Sequence, residues 1–514
     1  MRTKSSFLNS VESGPNIEVW RRVDFDQSLL DGIGSAIDSG IIEAVNFERS
    51  LLDELNGIFI LLDFWTSCCI NCIQVLPTLD FVEHSLNGRL LVLGIHTPKF
   101  TAERGADIVA AAVAKYNISH PIISDPNFVI WNQLNVRGWP TLILISPDGR
   151  EAGRYYGEPN PDRLLSELTA TIDAWHQGDC EKLVSFVATQ REEPATRLQF
   201  PAKITRLPAP QAGWVVADSG HNQIVEFDDL GNERRRYGTG EIGFRDGTAE
   251  ASCFSAPQGL IADEQAIYVA DTGNHALRRL DRSTGQVVTI AGTGKRGSPL
   301  IGTAHAVTTA LASPWDVALG PEGVIFSNAG THQLGIYSES TRTITCLAGD
   351  GRELLVDGPA LTSCLAQPSG LAIDRSAEVL YFVDCETSAL RAMDLSEPYI
   401  IRTLVGRGLF DFGDSGGSYE HTLFQHPLGL SVRHNEVIVA DTYNNKLRRV
   451  DLDRKVVEDF DVENVICNDF MCIPLYQPSS VEFDNYNNLM ICDTNNHRVI
   501  RYDVSSQSGV VFVD

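Results

Sequence analysis

Three of the eleven cysteines, Cys68, Cys69 and Cys72, stand in one short segment, and this cluster is where the sequence could carry out chemistry. Eleven cysteines are too few for a disulfide scaffold in 514 residues, so the cluster needs its own explanation. Two residues separate Cys69 from Cys72, a spacing that allows two thiols to form one disulfide when the first of them begins a helix. Unpaired N–H groups and the helix dipole stabilise a thiolate at that position.

The positions of the thiols predict different roles for them. Cys69 is predicted to be exposed at the start of a helix and to be the attacking thiolate. Cys72 lies one turn inside, where it can attack a mixed disulfide at Cys69 and release the reduced partner. Asp63 lies six residues before Cys69, at the end of an apolar run, and its carboxylate can carry a proton for Cys72.

Strands and helices must alternate along the first part of the chain to hold these residues. Apolar runs at residues 58–64, 90–95 and 141–145 predict buried strands, and a shorter strand is expected near residues 154–156. Helical spacing or composition predicts helices over residues 73–86, 103–116 and 161–175, the first of them kinked by Pro77. Trp139-Pro140 precedes the third strand and is a plausible cis peptide. This alternation predicts an α/β layer fold.

The second half of the chain repeats a β-rich unit. Residues 267–281 and 437–451 are near copies, and weaker copies are centred on Asp218, Asn328, Asp384 and Asp493. Six copies of about four strands predict a six-bladed β-propeller. Each copy follows a proline, and these are Pro201, Pro257, Pro314, Pro368, Pro427 and Pro478.

The repeated residues have local structural roles in this interpretation. The aspartate at the end of each apolar strand is expected to accept hydrogen bonds from N–H groups of the following turn. An Asn or His a few residues later fits a tight hairpin. Asn328 replaces the aspartate in blade three, and Ser388 and Ala389 change the turn in blade four, so these two blades are the irregular ones.

The stretch from Asp63 to Cys72 resembles the thioredoxin sequence Asp-Phe-Trp-Ala-x-Trp-Cys-Gly-Pro-Cys, with Trp65 at the first tryptophan. The resemblance implies that Pro140 is the cis-proline facing the active cysteine, so the expected catalytic residues are Cys69, Cys72, Asp63 and Pro140. Cys68 replaces the second tryptophan, which shapes the docking surface in thioredoxin. Cys68, Trp65 and Trp139 are therefore expected to modulate the reaction. Residues 94–100 resemble the insertion-bearing thioredoxins of the TlpA and DipZ type.

The blades resemble the NHL repeat, with its Pro-x-Gly-hydrophobic start and Val-Ala-Asp-Thr-x-Asn-hydrophobic core, a repeat that mostly builds binding platforms. The thioredoxin-like half and the propeller together resemble the NHL repeat-containing protein 2 family, which has plant relatives in the chloroplast lumen. The resemblance implies a protein partner or substrate on the propeller face. Family members usually carry a further β-rich domain after the propeller, and this chain is expected to lack it.

These patterns predict four regions and exclude several partners. The regions are an N-terminal segment at 1–17, a thioredoxin-like domain at 18–175, a polar linker at 176–199 and the propeller at 200–514. A net charge of −26 disfavours nucleic acid, because phosphate binding needs clustered Lys and Arg. No long apolar run predicts membrane insertion, and no secretory signal is recognised, so a cytoplasmic location is expected. The alternative is a plastid lumen or periplasm, if a targeting segment is missing.

Three functions remain open from the sequence. The first is a thiol–disulfide oxidoreductase that acts on a protein bound by the propeller, without a cofactor. The second is a non-catalytic interaction scaffold with a vestigial thioredoxin-like domain. The third and least favoured is a metal site at Cys68, Cys69 and Cys72, because zinc takes four ligands and no fourth ligand is near in sequence.

Overall fold

A six-stranded mixed sheet organises the first of two units, Met1–Glu192 and Glu193–Asp514, in the computed structural model. The structure describes residues 29–175, 183, 186, 195–462, 465–467, 470–471, 473–484 and 486–514. The predicted segment 1–17 and most of the predicted linker 176–199 lie outside the described residues. The strands are β1 Glu43–Ala44, β2 Phe59–Trp65, β3 Leu90–His96, β4 Ile122–Ser124, β5 Thr141–Ile145 and β6 Glu151–Tyr156. The helices are α1 Leu29–Asp38, α2 Leu51–Glu54, α3 Ile70–Leu86, α4 Ala106–Lys115, α5 Val129–Gln133 and α6 Pro161–Trp175.

The sheet has the order β1-β4-β3-β2-β5-β6, with β2 parallel to β3 and antiparallel to β5. Every residue of β2 and of β3 is buried, as their nearly continuous apolar sequences predict. Side chains alternate across β2, so Leu62 and Phe64 join a core on one face while Asp63 points to the other. The predicted thioredoxin-like fold is confirmed. Among the described residues, no helix combines the length and apolar character that a membrane crossing requires.

The shorter elements of this unit differ from the sequence predictions. The sequence did not predict β1 and β4, because strands of two and three residues are too short to show a pattern. The helix predicted over residues 103–116 begins later, at Ala106. The extended backbone of Gly105, with φ −74° and ψ 135°, separates it from a short 3₁₀ turn at Thr101–Arg104.

The second unit contains six sheets, which confirms the predicted six blades. Each has four main strands, and short strands extend the last four sheets. The first two sheets contain β7 Pro201–Leu207, β8 Gly213–Asp218, β9 Gln223–Phe227 and β10 Glu233–Tyr237, then β11 Leu260–Ala262, β12 Ala266–Asp271, β13 Ala276–Asp281 and β14 Val287–Ala291. The third and fourth contain β15 Thr303–His305, β16 Pro314–Leu319, β17 Val324–Asn328, β18 Gln333–Ser338 and β19 Thr343–Ala348, then β20 Gly358–Pro359, β21 Pro368–Asp374, β22 Val379–Asp384, β23 Ala389–Asp394 and β24 Ile400–Val405. The last two contain β25 Gly417–Ser418, β26 Gly429–Arg433, β27 Glu436–Asp441, β28 Lys446–Asp451 and β29 Val456–Phe460, then β30 Val465–Cys467, β31 Phe470–Met471, β32 Ser480–Phe483, β33 Asn488–Asp493, β34 Arg498–Asp503 and β35 Ser508–Val513.

A repeated hydrogen bond ties each blade to the next. The turn between the second and third main strands ends in a left-handed residue, such as His275 with φ 50°, a conformation that Asn and His tolerate well. Its side chain accepts an N–H from the loop that enters the next blade, and His497 closes the ring by accepting the N–H of Phe200 at 3.1 Å. The six pairs are Asn222–Ala256, His275–Ser313, His332–Gln367, Ser388–His426, Asn445–Gln477 and His497–Phe200.

The repeated aspartates were predicted to accept backbone N–H groups of the turn that follows them, and that prediction is wrong: from this turn Asp271 accepts only a side-chain N–H, that of Asn274 Nδ2 at 2.8 Å. Asp271 accepts the N–H of Ser255 at 2.9 Å, in the loop that enters the blade, and faces Arg278 at 2.6 Å. The loop passes beside the strand end, whereas the turn is closed by its own backbone bond from His275 to Thr272. In blade three, Asn328 keeps the loop contact by accepting the N–H of Ala312 at 2.9 Å. Gly335 stands at the arginine position, where a Cβ would lie 2.3 Å from the Phe326 ring, and the neutral Asn328 amide leaves no charge for an arginine to balance.

Limited proteolysis is expected to separate the two units. The change from helix–strand alternation to repeated sheets occurs across the polar segment 176–199, and each unit has hydrophobic cores of its own. We expect first cleavage in that segment and two stable fragments, which mass spectrometry would identify. First cleavage inside the blades would contradict this division of the chain.

Candidate functional site

Cys69 lies at the junction between β2 and α3, at the N-cap of the helix, as predicted. Its Sγ accepts the N–H of Cys72 at 3.3 Å, and its own N–H donates to the carbonyl of Thr66 at 3.2 Å. A sulfur at an N-cap receives a hydrogen bond and the positive end of the helix dipole. This is the arrangement that stabilises a thiolate.

Both thiols of the pair are buried, which corrects the prediction that Cys69 is exposed. Cys69 exposes 7% of its surface and Cys72 exposes 1%. The order of exposure is the predicted one. The exposed fraction of Cys69 is smaller than predicted because the loop before the helix, from Thr66 to Cys68, is itself buried.

Asp63 and Cys72 are both buried, and burial disfavours the charged form of each. Asp63 is 1% exposed, and neither of its carboxyl oxygens has a hydrogen-bond partner in the described part of the chain. Burial raises the pKa of Asp63 to about 7. Burial, followed by the hydrogen bond and charge of Cys69, raises the pKa of Cys72 well above its ordinary value, and Asp63 adds to the rise. A thiol of this kind needs a nearby base, and a carboxyl with a pKa of about 7 can serve near neutral pH.

The remaining predicted residues lie at the same end of the sheet. The Trp139–Pro140 bond is cis. Because Thr141 pairs with Phe64, Pro140 lies beside Trp65. Trp139 Nε1 donates to Thr97 Oγ1 at 2.7 Å, and the Thr97 N–H donates to the Trp65 carbonyl at 2.9 Å.

Glu103 is a residue of the site that the sequence did not reveal. Its side chain is fully buried, and its two oxygens accept five hydrogen bonds. One oxygen binds the loop before Cys69, through the hydroxyls of Thr66 and Ser67 at 2.7 and 2.6 Å and the N–H of Cys68 at 3.0 Å. The other accepts the N–H groups of Lys99 and Phe100, each at 3.0 Å. One feature of the sequence could have revealed Glu103. It lies three residues after Phe100, which is the spacing of the glutamate in a capping box.

His96 supports the same loop as a neutral ring. Its Nε2 accepts the Ser67 N–H at 3.3 Å, and its ring packs edge-on against Trp65 at 4.9 Å. Burial lowers the pKa of His96 to about 4, against the opposing effect of the Glu103 carboxylate 3.9 Å away. The imidazole is therefore an acceptor at neutral pH.

Comparison with known proteins agrees with both halves of the fold. A thioredoxin-like family model matches residues 57–151. NHL repeat-containing protein 2 of Homo sapiens is 32% identical over 507 residues, which cover 91% of this chain and 69% of the human protein. This chain belongs to the NHL repeat-containing protein 2 family. Protein SUPPRESSOR OF QUENCHING 1, chloroplastic, of Arabidopsis thaliana is 33% identical over 87% of this chain, which spans 44% of that protein's length. Protein DipZ of Mycobacterium tuberculosis is 34% identical over 108 residues, which are 21% of this chain and 16% of DipZ.

For this member of the NHL repeat-containing protein 2 family, the structure brings the predicted residues to one end of the sheet. Cys69 and Cys72 share a hydrogen bond, and Asp63 lies close enough to Cys72 to affect its pKa. Cys68 joins them through the loop that Glu103 holds.

An Asp63→Asn substitution is expected to stabilise this family member at alkaline pH and to slow its disulfide turnover severalfold. The folded state holds the Asp63 proton more tightly than the unfolded chain does, because its pKa rises from 3.8 to about 7. Stability is therefore lost as the pH rises between these values. At pH 8 the asparagine should raise the free energy of unfolding by up to about 4 kcal/mol, from about three pKa units, and at pH 4 it should have little effect.

Denaturant unfolding at the two pH values measures the first effect. Asp125→Asn is the comparison: burial also raises the pKa of Asp125, to about 6, but its carboxyl accepts the N–H groups of Val129, Ile130 and Trp131. Because asparagine removes an acceptor oxygen from these donors, this variant should gain less stability at pH 8 than Asp63→Asn and should lose stability at pH 4. Unchanged stability of Asp63→Asn at pH 8, with unchanged turnover from about pH 6 to 9, would rule out the proton-transfer role.

Proposed function

We propose that this protein exchanges thiols and disulfides with a protein partner that its propeller binds. The observation that carries the proposal is the Cys69 sulfur at the N-cap of α3, which accepts the N–H of Cys72, a thiol whose pKa the buried Asp63 helps to raise. The relationship of the first unit to proteins such as DipZ supports the same chemistry.

The reductive reaction has two steps in this proposal. The Cys69 thiolate attacks one sulfur of the partner disulfide, a mixed disulfide forms, and the released partner thiolate takes a proton from solvent. Cys72 then gives its proton to the Asp63 carboxylate, and its sulfur attacks Cys69 Sγ. The Cys69–Cys72 disulfide forms, the second partner thiolate leaves, and two electrons have passed to the partner. The reverse sequence oxidises a dithiol partner.

The other residues of the site position the reacting groups. Pro140 and the tryptophans Trp65 and Trp139 shape the surface against which the partner disulfide docks, and Cys68 modulates the exchange. The burial of Cys72 keeps it from reacting before the mixed disulfide forms, which separates the two steps. No cofactor is needed, because every electron passes between sulfur atoms.

The propeller supplies the partner-binding surface in this proposal. Large apolar side chains are exposed on loops that lead from one blade into the next, among them Ile242, Ile301 and Phe410 at 66, 91 and 57%. Contiguous exposed apolar surface marks protein interaction sites, and the proposal assigns these side chains to such a surface. With a net charge of −26, the partner is a protein rather than a nucleic acid. We propose the cytoplasm as the compartment and a plastid lumen or periplasm as the alternative, since the plant relative's name includes the word chloroplastic.

The proposal is tested by equilibrating the full chain in buffers of varied reduced-to-oxidised glutathione ratio and measuring intact mass, followed by peptide mapping. We expect one intramolecular disulfide, Cys69–Cys72, that forms and breaks reversibly as the ratio changes. The nine other cysteines should stay reduced. A protein whose Cys69 and Cys72 remain reduced at every ratio would contradict the proposal.

The burial of both thiols favours a second candidate function, the non-catalytic scaffold. A Cys69 exposed to only 7% reacts slowly unless a partner opens the loop. A Cys69→Ser, Cys72→Ser double variant distinguishes the two. If the double variant fully restores the phenotype of cells that lack the native protein, the function is that of a scaffold.

A further inference from the structure

Three buried polar side chains of the first unit have no hydrogen-bond partner among the residues that the structure describes. The atoms concerned are both carboxyl oxygens of Asp63, the indole Nε1 of Trp65 and both ring nitrogens of His120. Each of these residues exposes 2% of its surface or less. Buried polar groups are almost always hydrogen-bonded, so three such side chains in one region need an explanation.

Gly94 brings two of these groups together. It is the register partner of Asp63 on the neighbouring strand β3. A Cβ at Gly94 would lie 3.2 Å from Trp65 Nε1 and 3.2 Å from His120 Nε2, so the two nitrogens converge on the place where a side chain would stand. Ile122 Cδ1 lies 2.3 Å from the same point, so this place is filled and a larger residue would displace its neighbours.

Asp63 stands beside this place. Register partners on neighbouring strands project to the same face of a sheet and are separated by about 4.8 Å, so the Asp63 carboxyl lies one strand away from the two nitrogens. Trp65 follows Asp63 by two residues on β2 and projects to the same face. The Gly94 N–H donates to the Pro121 carbonyl at 2.9 Å, which holds the adjacent His120 against β3.

An ionised Asp63 needs hydrogen-bond donors, because a buried charge without them is strongly disfavoured. The Trp65 indole can only donate, and a neutral His120 ring has one N–H to give. Burial lowers the pKa of His120 to about 3, so this ring is neutral near pH 7. Two further titratable groups lie close by: Cys72, whose pKa Asp63 affects, and His96, whose ring packs edge-on against Trp65 and whose Nε2 accepts a loop N–H.

We propose that Trp65 Nε1–H and His120 Nε2–H donate hydrogen bonds to the Asp63 carboxylate when it ionises. Neither bond is present in the structure, which corresponds to the protonated carboxyl, and the carboxylate turns toward the two donors once its proton has left. Trp65 and His120 are positioning residues, since they act on the reaction through Asp63. They keep Asp63 ionised near neutral pH and so ready to accept the Cys72 proton. The inference rests on the role of Asp63 in the proposed thiol–disulfide exchange.

Titration of Asp63 in the reduced full-length protein tests the proposal, with His120→Leu and Trp65→Phe as the variants. Infrared difference spectra, each taken against the same protein carrying Asp63→Asn, isolate the carboxyl band of Asp63 and give the pH at which it ionises. We expect this pH to rise by about one unit in each variant, the effect of one hydrogen bond to a charged group. An unchanged value in either variant would overturn the proposal.

His120→Gln and Trp131→Phe are the matched controls. Glutamine can place an N–H near the position of His120 Nε2, and Trp131 carries the same indole but packs against the core on the opposite face of the sheet. Asp63 should ionise at the wild-type pH in both. A rise in Trp131→Phe equal to that in Trp65→Phe would overturn the proposal, because lost packing rather than a lost N–H would then explain the shift.

Nuclear magnetic resonance keeps the proposal testable if these variants do not fold. The chain has seven tryptophans, so labelling of the indole nitrogens gives few signals, and the Trp65 signal is assigned through its contact with the His96 ring. This signal should shift as Asp63 ionises in the wild type and should stay constant in Asp63→Asn. A Trp65 signal that does not respond to the ionisation would overturn the proposal. Neither measurement requires disulfide exchange, so the outcome is independent of whether glutathione forms the Cys69–Cys72 disulfide.

Discussion

Replacing Cys69 with serine is expected to slow the reduction of protein disulfides by this protein at least about a hundredfold. A serine hydroxyl is not ionised near neutral pH, so the N-cap of α3 would hold no nucleophile. Turnover of a disulfide substrate, with dithiothreitol as the reductant, measures the loss.

Cys68→Ser is the control for this prediction, since it also replaces one buried sulfur in the same loop. Its turnover should stay within about threefold of the wild-type value, because neither step of the proposed reaction uses Cys68. If Cys68→Ser abolished turnover and Cys69→Ser retained it, the roles of the two neighbouring cysteines would be reversed.

Glu103→Gln is expected to destabilise the first unit by about 3 kcal/mol or more. Glutamine replaces one acceptor oxygen with an NH₂ group, so at least two of the five donors around Glu103 lose their acceptor. A buried donor without a partner costs about 1–3 kcal/mol. Hydrogen–deuterium exchange should also become faster in the peptide that contains Thr66 and Cys68.

Glu83→Gln is the comparison for this prediction, because Glu83 lies in the same unit and accepts a single N–H, from Val92 at 2.8 Å. It should cost about 1 kcal/mol. Both variants are compared by denaturant unfolding followed through the tryptophan fluorescence of the full chain. An unfolding midpoint of Glu103→Gln equal to that of wild type would show that the hydrogen bonds to Glu103 do not hold the loop.

The parts of the molecule that sequence could predict are those set by local pattern. The apolar run that became Phe59–Trp65, the helix Pro161–Trp175 and the six repeated strand pairs all carry periodicity within a few residues. The left-handed turns that close with Asn or His follow from the same local rules.

The parts that sequence could not predict depend on residues far apart in the chain. The contact between Glu103 and Thr66 spans 37 positions, and the bond that closes the propeller, from Phe200 to His497, spans 297. No short-range pattern reports such pairs. The burial of Cys69 has the same origin, because loop packing rather than position in the helix determines how far its sulfur is exposed.

The central claim, that Cys69 attacks and Cys72 resolves, is tested most directly by trapping mixed disulfides. Cys72→Ser and Cys69→Ser proteins are expressed in parallel, free thiols are blocked, and covalent complexes are identified by mass spectrometry before and after reduction. Cys72→Ser should accumulate protein partners joined through Cys69, because the release step is missing, and Cys69→Ser should accumulate none. Equal trapping by the two variants, or trapping by neither, would contradict the account.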